Sequence, residues 1–298
     1  MTFLTRSDPV RHSGHRLLPA AAALLAATAA APVHAGDRLL GTWGVSPVEG
    51  GGGGGLSPWG VITGTGSRGQ TGGSAYFTRI HTRGGYDLTA AGAAVGISDR
   101  VELSMSQWSF KLGDTVPGEK IRVQVVGAKL RIAGDAVYDQ DTWMPQITAG
   151  VQYKHNSDMA VPDLLGAKRD SDVDLYLSAT KVWLGGLAGC NVLLNANLRA
   201  TRANQFGLLG FGGDNSDDYK PQPEVSLGVM LRDDLVVGAE WRAKPDNLGA
   251  FREEDAWDAF IAWFPTRWIS LTAAWVDLGN VANKPHQTGW YFSGQLAF

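Results

Sequence analysis

Cysteine is almost missing: Cys190 stands alone among 298 residues. That excludes an intrachain disulfide and any cysteine-based metal cluster. Charge is sparse, with only 18% Asp, Glu, Lys and Arg, and no basic run follows the pattern of a phosphate backbone, so nucleic acid is not an expected partner. Long apolar runs are lacking as well. Beyond residue 35 no stretch reaches 18 consecutive apolar residues, and no transmembrane helix is expected there. Histidine is scarce; past residue 35 only His81, His155 and His286 remain. No Gly-x-Ser-x-Gly motif occurs, and no local serine stands beside a strand histidine with an orienting acid, so nucleophilic catalysis has no visible machinery. Low charge without a spanning helix leaves two classes: a large soluble β protein, or a barrel in lipid.

What is present begins with the address. Arg6, Arg11 and Arg16 form a basic leader, Leu17 to Ala31 an apolar stretch, and Val33-His34-Ala35 a small-x-small cleavage pattern. Together they predict a signal peptide over residues 1–35, removed after Ala35. The apolar run is too short for a bilayer anchor, which needs about 20 residues.

The remainder lacks helical periodicity. Apolar and polar residues alternate in segments of about ten, the pattern of a tilted transmembrane strand. Leu194, Ala196 and Leu198 alternate with Asn195, Asn197 and Arg199; Val225, Leu227, Val229 and Leu231 alternate with Glu224, Ser226, Gly228 and Arg232. Twelve strands are predicted, within a range of ten to fourteen, near 73–82, 86–96, 100–111, 120–132, 143–153, 172–183, 189–202, 222–232, 234–244, 255–264, 267–277 and 288–298. In the fourth, the apolar set shifts phase between Val125 and Ala128, which predicts a bulge near Val126-Gly127.

The connections alternate in length. Four of the five inward turns are short (Ser98-Asp99, Leu184 to Ala188, Asp233 and Pro265-Thr266), whereas 154–171, 203–221, 245–254 and 278–287 are long and polar. Ala133 to Thr142 is the exception. Short periplasmic turns and long outer loops are the rule for bacterial outer-membrane barrels. The expected architecture is therefore an all-β, closed antiparallel transmembrane barrel over residues 73–298, in the outer membrane of a Gram-negative bacterium, with both termini periplasmic. Trp290, Phe292, Gly294, Leu296 and Phe298 fall on every second position and end on a C-terminal Phe. This row resembles the terminal strand of outer-membrane proteins, whose aromatic end is read by the barrel-assembly machinery; Trp290, Phe292, Leu296 and Phe298 are the expected signal. Trp183, Trp241, Trp257, Trp263 and Trp268 sit near predicted strand ends, where an aromatic girdle would meet lipid and lipopolysaccharide headgroups.

Residues 36–72 differ in kind. Six glycines, Gly50 to Gly55, precede Leu56-Ser57-Pro58-Trp59. Such a run is either a flexible linker or backbone threading a space too narrow for side chains. In the second case the segment is a lumen plug with Trp59 as its anchor; a third option has 56–64 add a strand or lie along the wall. The stretch Gly50 to Ile62, the turn Ile97-Ser98-Asp99-Arg100-Val101-Glu102 and the stretch Gly134-Asp135-Ala136-Val137-Tyr138-Asp139 resemble an uncharacterised proteobacterial family known as a domain of unknown function, number 3034. The resemblance covers nearly all of the chain after the signal peptide. It implies an outer-membrane, porin-like barrel and brings no catalytic or binding residues.

Reading each strand's polar face inward gives Glu102, Arg122, Lys129, Arg131, Asp174, Arg199, Glu224, Glu240, Arg242 and Asp258 as lumen-lining residues, five of each sign. Facing lipid, such charges would cost about 2 to 4 kcal/mol each at the midplane. The leading expectation is a narrow porin-like channel for small hydrophilic solutes. The alternative is a non-conducting structural or interaction barrel closed by ion pairs or by the Gly-rich segment. A hydrolase using loop histidines His155 and His286 is a distant third. No cofactor is expected. Asp214, Asp217 and Asp218 gather oxygen ligands in one loop, a weak Ca²⁺ candidate without the EF-hand spacing, and a solvated acidic loop is the expected reading.

Overall fold

The computed structural model describes residues 38–298 except 46 and 283; the signal peptide expected at 1–35 lies outside the described residues. The strands, in chain order, are β1 (Thr71–Thr82), β2 (Asp87–Ile97), β3 (Val101–Lys111), β4 (Lys120–Ala133), β5 (Gln146–Asn156), β6 (Ala167–Arg169), β7 (Ser171–Leu187), β8 (Cys190–Thr201), β9 (Phe211–Gly213), β10 (Lys220–Arg232), β11 (Leu235–Arg242), β12 (Ala256–Thr266), β13 (Ile269–Asp277) and β14 (Thr288–Ala297). Twelve of them pair antiparallel, each with its neighbour along the chain, and β14 closes on β1. Short β6 and β9 pair with each other outside the wall, beside a single-turn helix α1 (Ala160–Leu164). Closure leaves no free strand edge, as hydrocarbon requires.

The outer face is apolar and uncovered. Phe77, Leu103, Val126, Leu130, Leu175, Leu177, Leu198, Leu227, Ile261, Leu271 and Leu296 are exposed, and Phe292 is 57% exposed. A continuous belt of this size in water would be an aggregation surface; around a closed barrel it is the lipid-facing surface of a transmembrane, outer-membrane-type barrel. Exposed Trp263 and Trp268 lie near the end that carries the chain terminus, and Trp241, Trp257, Trp275 and Trp290 near the other. Indole rings suit both interfaces. These two ends are called the termini end and the far end below.

Three expectations need correction. The fifth strand starts at Gln146, not residue 143, because Pro145 has no N–H to give to a ladder. No bulge interrupts Val126-Gly127, where pairing with β3 runs unbroken from Val101↔Leu130 to Lys111↔Lys120. The register shift lies instead at Arg131/Ala133, against β5. Both faces of β4 are simply apolar: Ile121, Val123 and Val125 point inward and are buried, while Val126, Leu130 and Ile132 point outward. It follows that Arg122 does not line the lumen. It shares the outward phase, sits near the far rim, and pairs with Asp158 at 2.7 Å.

Candidate functional site in the barrel lumen

A twelve-stranded wall encloses more space than its own side chains fill, since about eight strands give a filled interior and sixteen an open channel. Here the chain preceding β1 enters that space. Residues 41–45 lie among wall side chains near the termini end, where Gly41 approaches Phe264 and Met230. The chain rises to an apex at Val48-Glu49 and returns to the termini end, where the Thr65 and Gly73 amides both donate to the Phe298 carbonyl. Its few internal hydrogen bonds are local, such as Val45 N to Gly53 O and Trp59 N to Gly52 O. The Gly run lies inside the lumen. At Gly54 an added Cβ would stand 1.9 Å from Glu240 Oε1, and at Gly44, with φ of +98°, 2.4 Å from the Gly53 nitrogen. Side chains are excluded by the wall at Gly54 and by the segment's own folded-back backbone at Gly44, which accounts for these glycines.

The wall grips this inner segment through three groups of polar side chains. At the apex, the Glu49 carboxylate receives Lys154 Nζ at 2.6 Å and Arg242 Nη2 at 3.0 Å on one oxygen, and Arg199 Nη2 at 3.0 Å on the other. The same cations hold Asp174 and Glu224: Lys154–Asp174 is 2.9 Å, Arg199–Asp174 3.2 Å, Arg199–Glu224 2.6 Å and Arg242–Glu224 3.3 Å. Three cations thus meet three carboxylates, and Arg199 and Lys154 have no solvent-exposed surface. Nearer the termini end, Glu102 accepts the Gly52 and Thr63 amides at 3.0 and 2.8 Å, while Lys129 donates to the Gly52 and Val61 carbonyls. Glu102 and Lys129 pair at 3.2 Å. On the opposite wall Glu240 accepts Leu56 N at 2.8 Å, Ser57 Oγ at 3.2 Å and Trp59 Nε1 at 3.3 Å. Asp258 lies beside Glu240 in the β11–β12 ladder.

The expected lumen residues divide accordingly. Glu102, Lys129, Asp174, Arg199, Glu224, Glu240, Arg242 and Asp258 are buried inside. Arg131 faces the termini mouth, where it and Arg38 both pair with Asp99. Arg122 is outside. Trp59 is buried and its indole N–H also donates to Ser226 Oγ at 3.0 Å. Sequence reading missed Lys154, which the misplaced fifth strand cut off, and Glu49. A signal for Glu49 existed: between Arg38 and Arg68 it is the one charged residue.

The far half of the lumen is different. Ile80, Leu88, Trp108, Phe110, Ile121 and Val123 point inward and are buried. The loop after β8 folds in over them through a 3₁₀ turn, Asn204–Gly207. Gln205 and Phe206 take φ of 46° and 64°, left-handed values that non-glycine residues adopt only when the surroundings impose them. The Phe206 ring stacks on Arg242, 4.4 Å away. Beneath this turn remains a cavity of about 30 Å³, bordered by Glu49, Leu56 and Arg242.

The far-end loops spend their charges on one another. Asp217 pairs with Arg169, whereas Asp214 accepts the Gly249 amide at 2.7 Å. Asp214, Asp217 and Asp218 therefore do not converge on one point, and among the described residues no group of three metal-ligating side chains does. Asp217 lies below the usual carboxylate range because Arg169 donates to it. His155 and His286 face separate acids, Asp170 at 4.0 Å and Glu254 at 3.9 Å.

Among solved structures, the chain is similar to the KdgM porin (10% identity over 76% of this chain and 99% of that one, TM-score 0.48). It is also similar to outer membrane protein Omp33 of Acinetobacter baumannii (12%, 77% and 98%, TM-score 0.43) and to outer membrane phospholipase A of Escherichia coli (11%, 76% and 92%, TM-score 0.39). At such low identity the likeness is one of barrel architecture. A search of curated protein sequences finds no match. The family profile described as protein of unknown function (DUF3034) matches residues 42–295, inner segment and wall together, and the chain belongs to that family.

Proposed function

We propose that this protein is a porin-like outer-membrane channel for small hydrophilic solutes, held shut by its own N-terminal segment, with no enzymatic role. In this reading both termini face the periplasm of a Gram-negative cell, and the aromatic row ending at Phe298 serves the assembly machinery. The supporting observation is the filled lumen: Lys154, Arg199 and Glu224 have no exposed surface, whereas a water-filled channel would leave them accessible. Among the described residues the inner segment forms no ladder with the wall beyond its root, and beside the buried side chains of Trp43 and Trp59 wall groups hold it through polar contacts that water or solute could replace. A barrel of this size without the segment would contain a channel of intermediate width.

Planar-bilayer recording tests this. The full chain from Gly36 is expected to be silent, and deletion of residues 36–72 to produce steady conductance. Gly54→Val, which drives a side chain into Glu240, is a milder route to the same opening. Conductance in the full chain equal to that of the deletion would mean that the segment does not close the barrel. Silence in both would favour the non-conducting structural barrel, a reading supported by the Phe206 turn closing the far half as well.

A further inference from the structure

The cluster around Glu49 has the construction of a ligand site. Lys154, Arg199 and Arg242 come from three different wall strands and converge on both oxygens of one carboxylate. That carboxylate belongs to the inner segment, not to the wall. Without Glu49, the three cations would face only Asp174 and Glu224, leaving one positive charge uncompensated in a water-excluded place. On the far side of the same carboxylate lies the cavity beneath the Phe206 turn. Its remaining walls include Ile80, Leu88, Trp108, Phe110 and Leu278, so an anion head would sit against an apolar chamber. The turn that roofs it is held in left-handed backbone at Gln205 and Phe206, a strained conformation for residues other than glycine.

We propose that Glu49 occupies, as a tethered stand-in, the binding site of a small organic monocarboxylate with an apolar body. The ligand's carboxylate takes the three cations, and its body takes the place of the segment's apex at Val48-Glu49 together with the adjoining cavity of about 30 Å³, against Trp108 and Phe110. Binding from the far end then competes with the apex of the inner segment, so the solute itself weakens the closure. This rests on the reading of the segment as a displaceable plug, and it narrows the solute class.

The test uses the full chain from Gly36 carrying Glu49→Ala, refolded into lipid nanodiscs, with phenylacetate as probe. Acetate supplies the head without the body, and phenylacetamide the body without the charge. Glu49→Ala is expected to melt below the wild type and to regain its loss saturably with phenylacetate, less with acetate and not with phenylacetamide. The wild type, its site occupied, shifts less than the variant. If Glu49→Ala refolds poorly, refolding yield with and without phenylacetate is the readout, and equilibrium dialysis of labelled phenylacetate against the 36–72 deletion is the second measurement. Equal shifts with phenylacetamide, equal shifts in wild type and variant, or no binding to either protein would overturn the proposal. Conductance separates the two ideas: a deletion that conducts but binds no phenylacetate removes this inference and leaves the plug. Rescue of Glu49→Ala beside a silent deletion removes the plug and leaves the site.

Discussion

The wall and the segment inside it are one chain under two sets of rules. The wall is a lattice of backbone hydrogen bonds in which β14 pairs with β1 across nine residue positions. Its side chains sort by phase, apolar toward lipid and polar or packed inward. The inner segment has no such lattice. Its amides at Gly52, Leu56, Gly60 and Thr63 are satisfied by Glu102, Glu240 and Thr180 of the wall. Buried backbone must find partners, and here they are side chains on strands 39 to 184 residues away in sequence. A lattice tolerates the loss of one side chain; a segment whose buried backbone relies on a few carboxylates, beside apolar anchors such as Trp43 and Trp59, tolerates it less.

The largest effect expected from that difference is at Arg199, which touches Glu49, Asp174 and Glu224 at once. Arg199→Ala leaves three carboxylates with two cations in a closed interior, and breaking a buried network of this kind costs about 3 to 5 kcal/mol. Heat-induced unfolding in detergent should show the loss. Protease should also reach residues 36–72 well below the temperature at which the wall melts. Joint melting of segment and wall would mean that the two regions form one cooperative unit.

The wall was readable in the sequence because lipid imposes a strict rule. A residue facing hydrocarbon has no polar partner, so alternation survives in Leu194 to Arg199 and Val225 to Arg232, and the turns alternate in length. The lumen imposes no comparable rule. Beside the inner segment it requires carboxylates and cations, and toward the far end it requires Ile121, Val123 and Val125, which look like lipid-facing residues. That double apolar face made a bulge appear in β4 and turned Arg122 inward. Eight of the ten expected lumen charges are nonetheless buried inside, since a charge on a strand has few other places to go. Glu49 and the Phe206 turn escaped notice because neither belongs to a strand. Their positions depend on contacts made across the barrel, which no local pattern encodes.

A smaller effect separates two basic residues of the same strand. Lys129 is buried and donates to the Gly52 and Val61 carbonyls as well as to Glu102. Lys129→Ala should cost about 3 kcal/mol, the low end for a buried pair losing one partner, and should raise protease access to the segment. Arg122→Ala, seven residues earlier on the opposite face, should leave that access unchanged. Equal protease sensitivity in the two variants would mean that the distinction between inward and outward phase in β4 does not govern the segment.

Arg122 carries the smallest effect, and its pH dependence has a definite sign. Its guanidinium donates to Asp158 at 2.8 and 2.7 Å and holds that carboxyl below the ordinary range, with burial opposing. A carboxyl depressed in the folded state contributes stability that is fully present above its unfolded value, about 3.9, and that is lost as pH falls through the lower folded value. Both partners are partly exposed, which limits the pair to about 0 to 1 kcal/mol. Arg122→Ala should therefore lower the melting temperature slightly at pH 7, and the difference from wild type should shrink as pH drops below 4. If the difference persisted in acid, Arg122 would be stabilising the rim by packing its alkyl stem instead of by charge. A loss at pH 7 as large as that of Arg199→Ala would place a principal brace of the barrel at its rim, and the buried cluster around Glu49 would no longer be the strongest link between segment and wall.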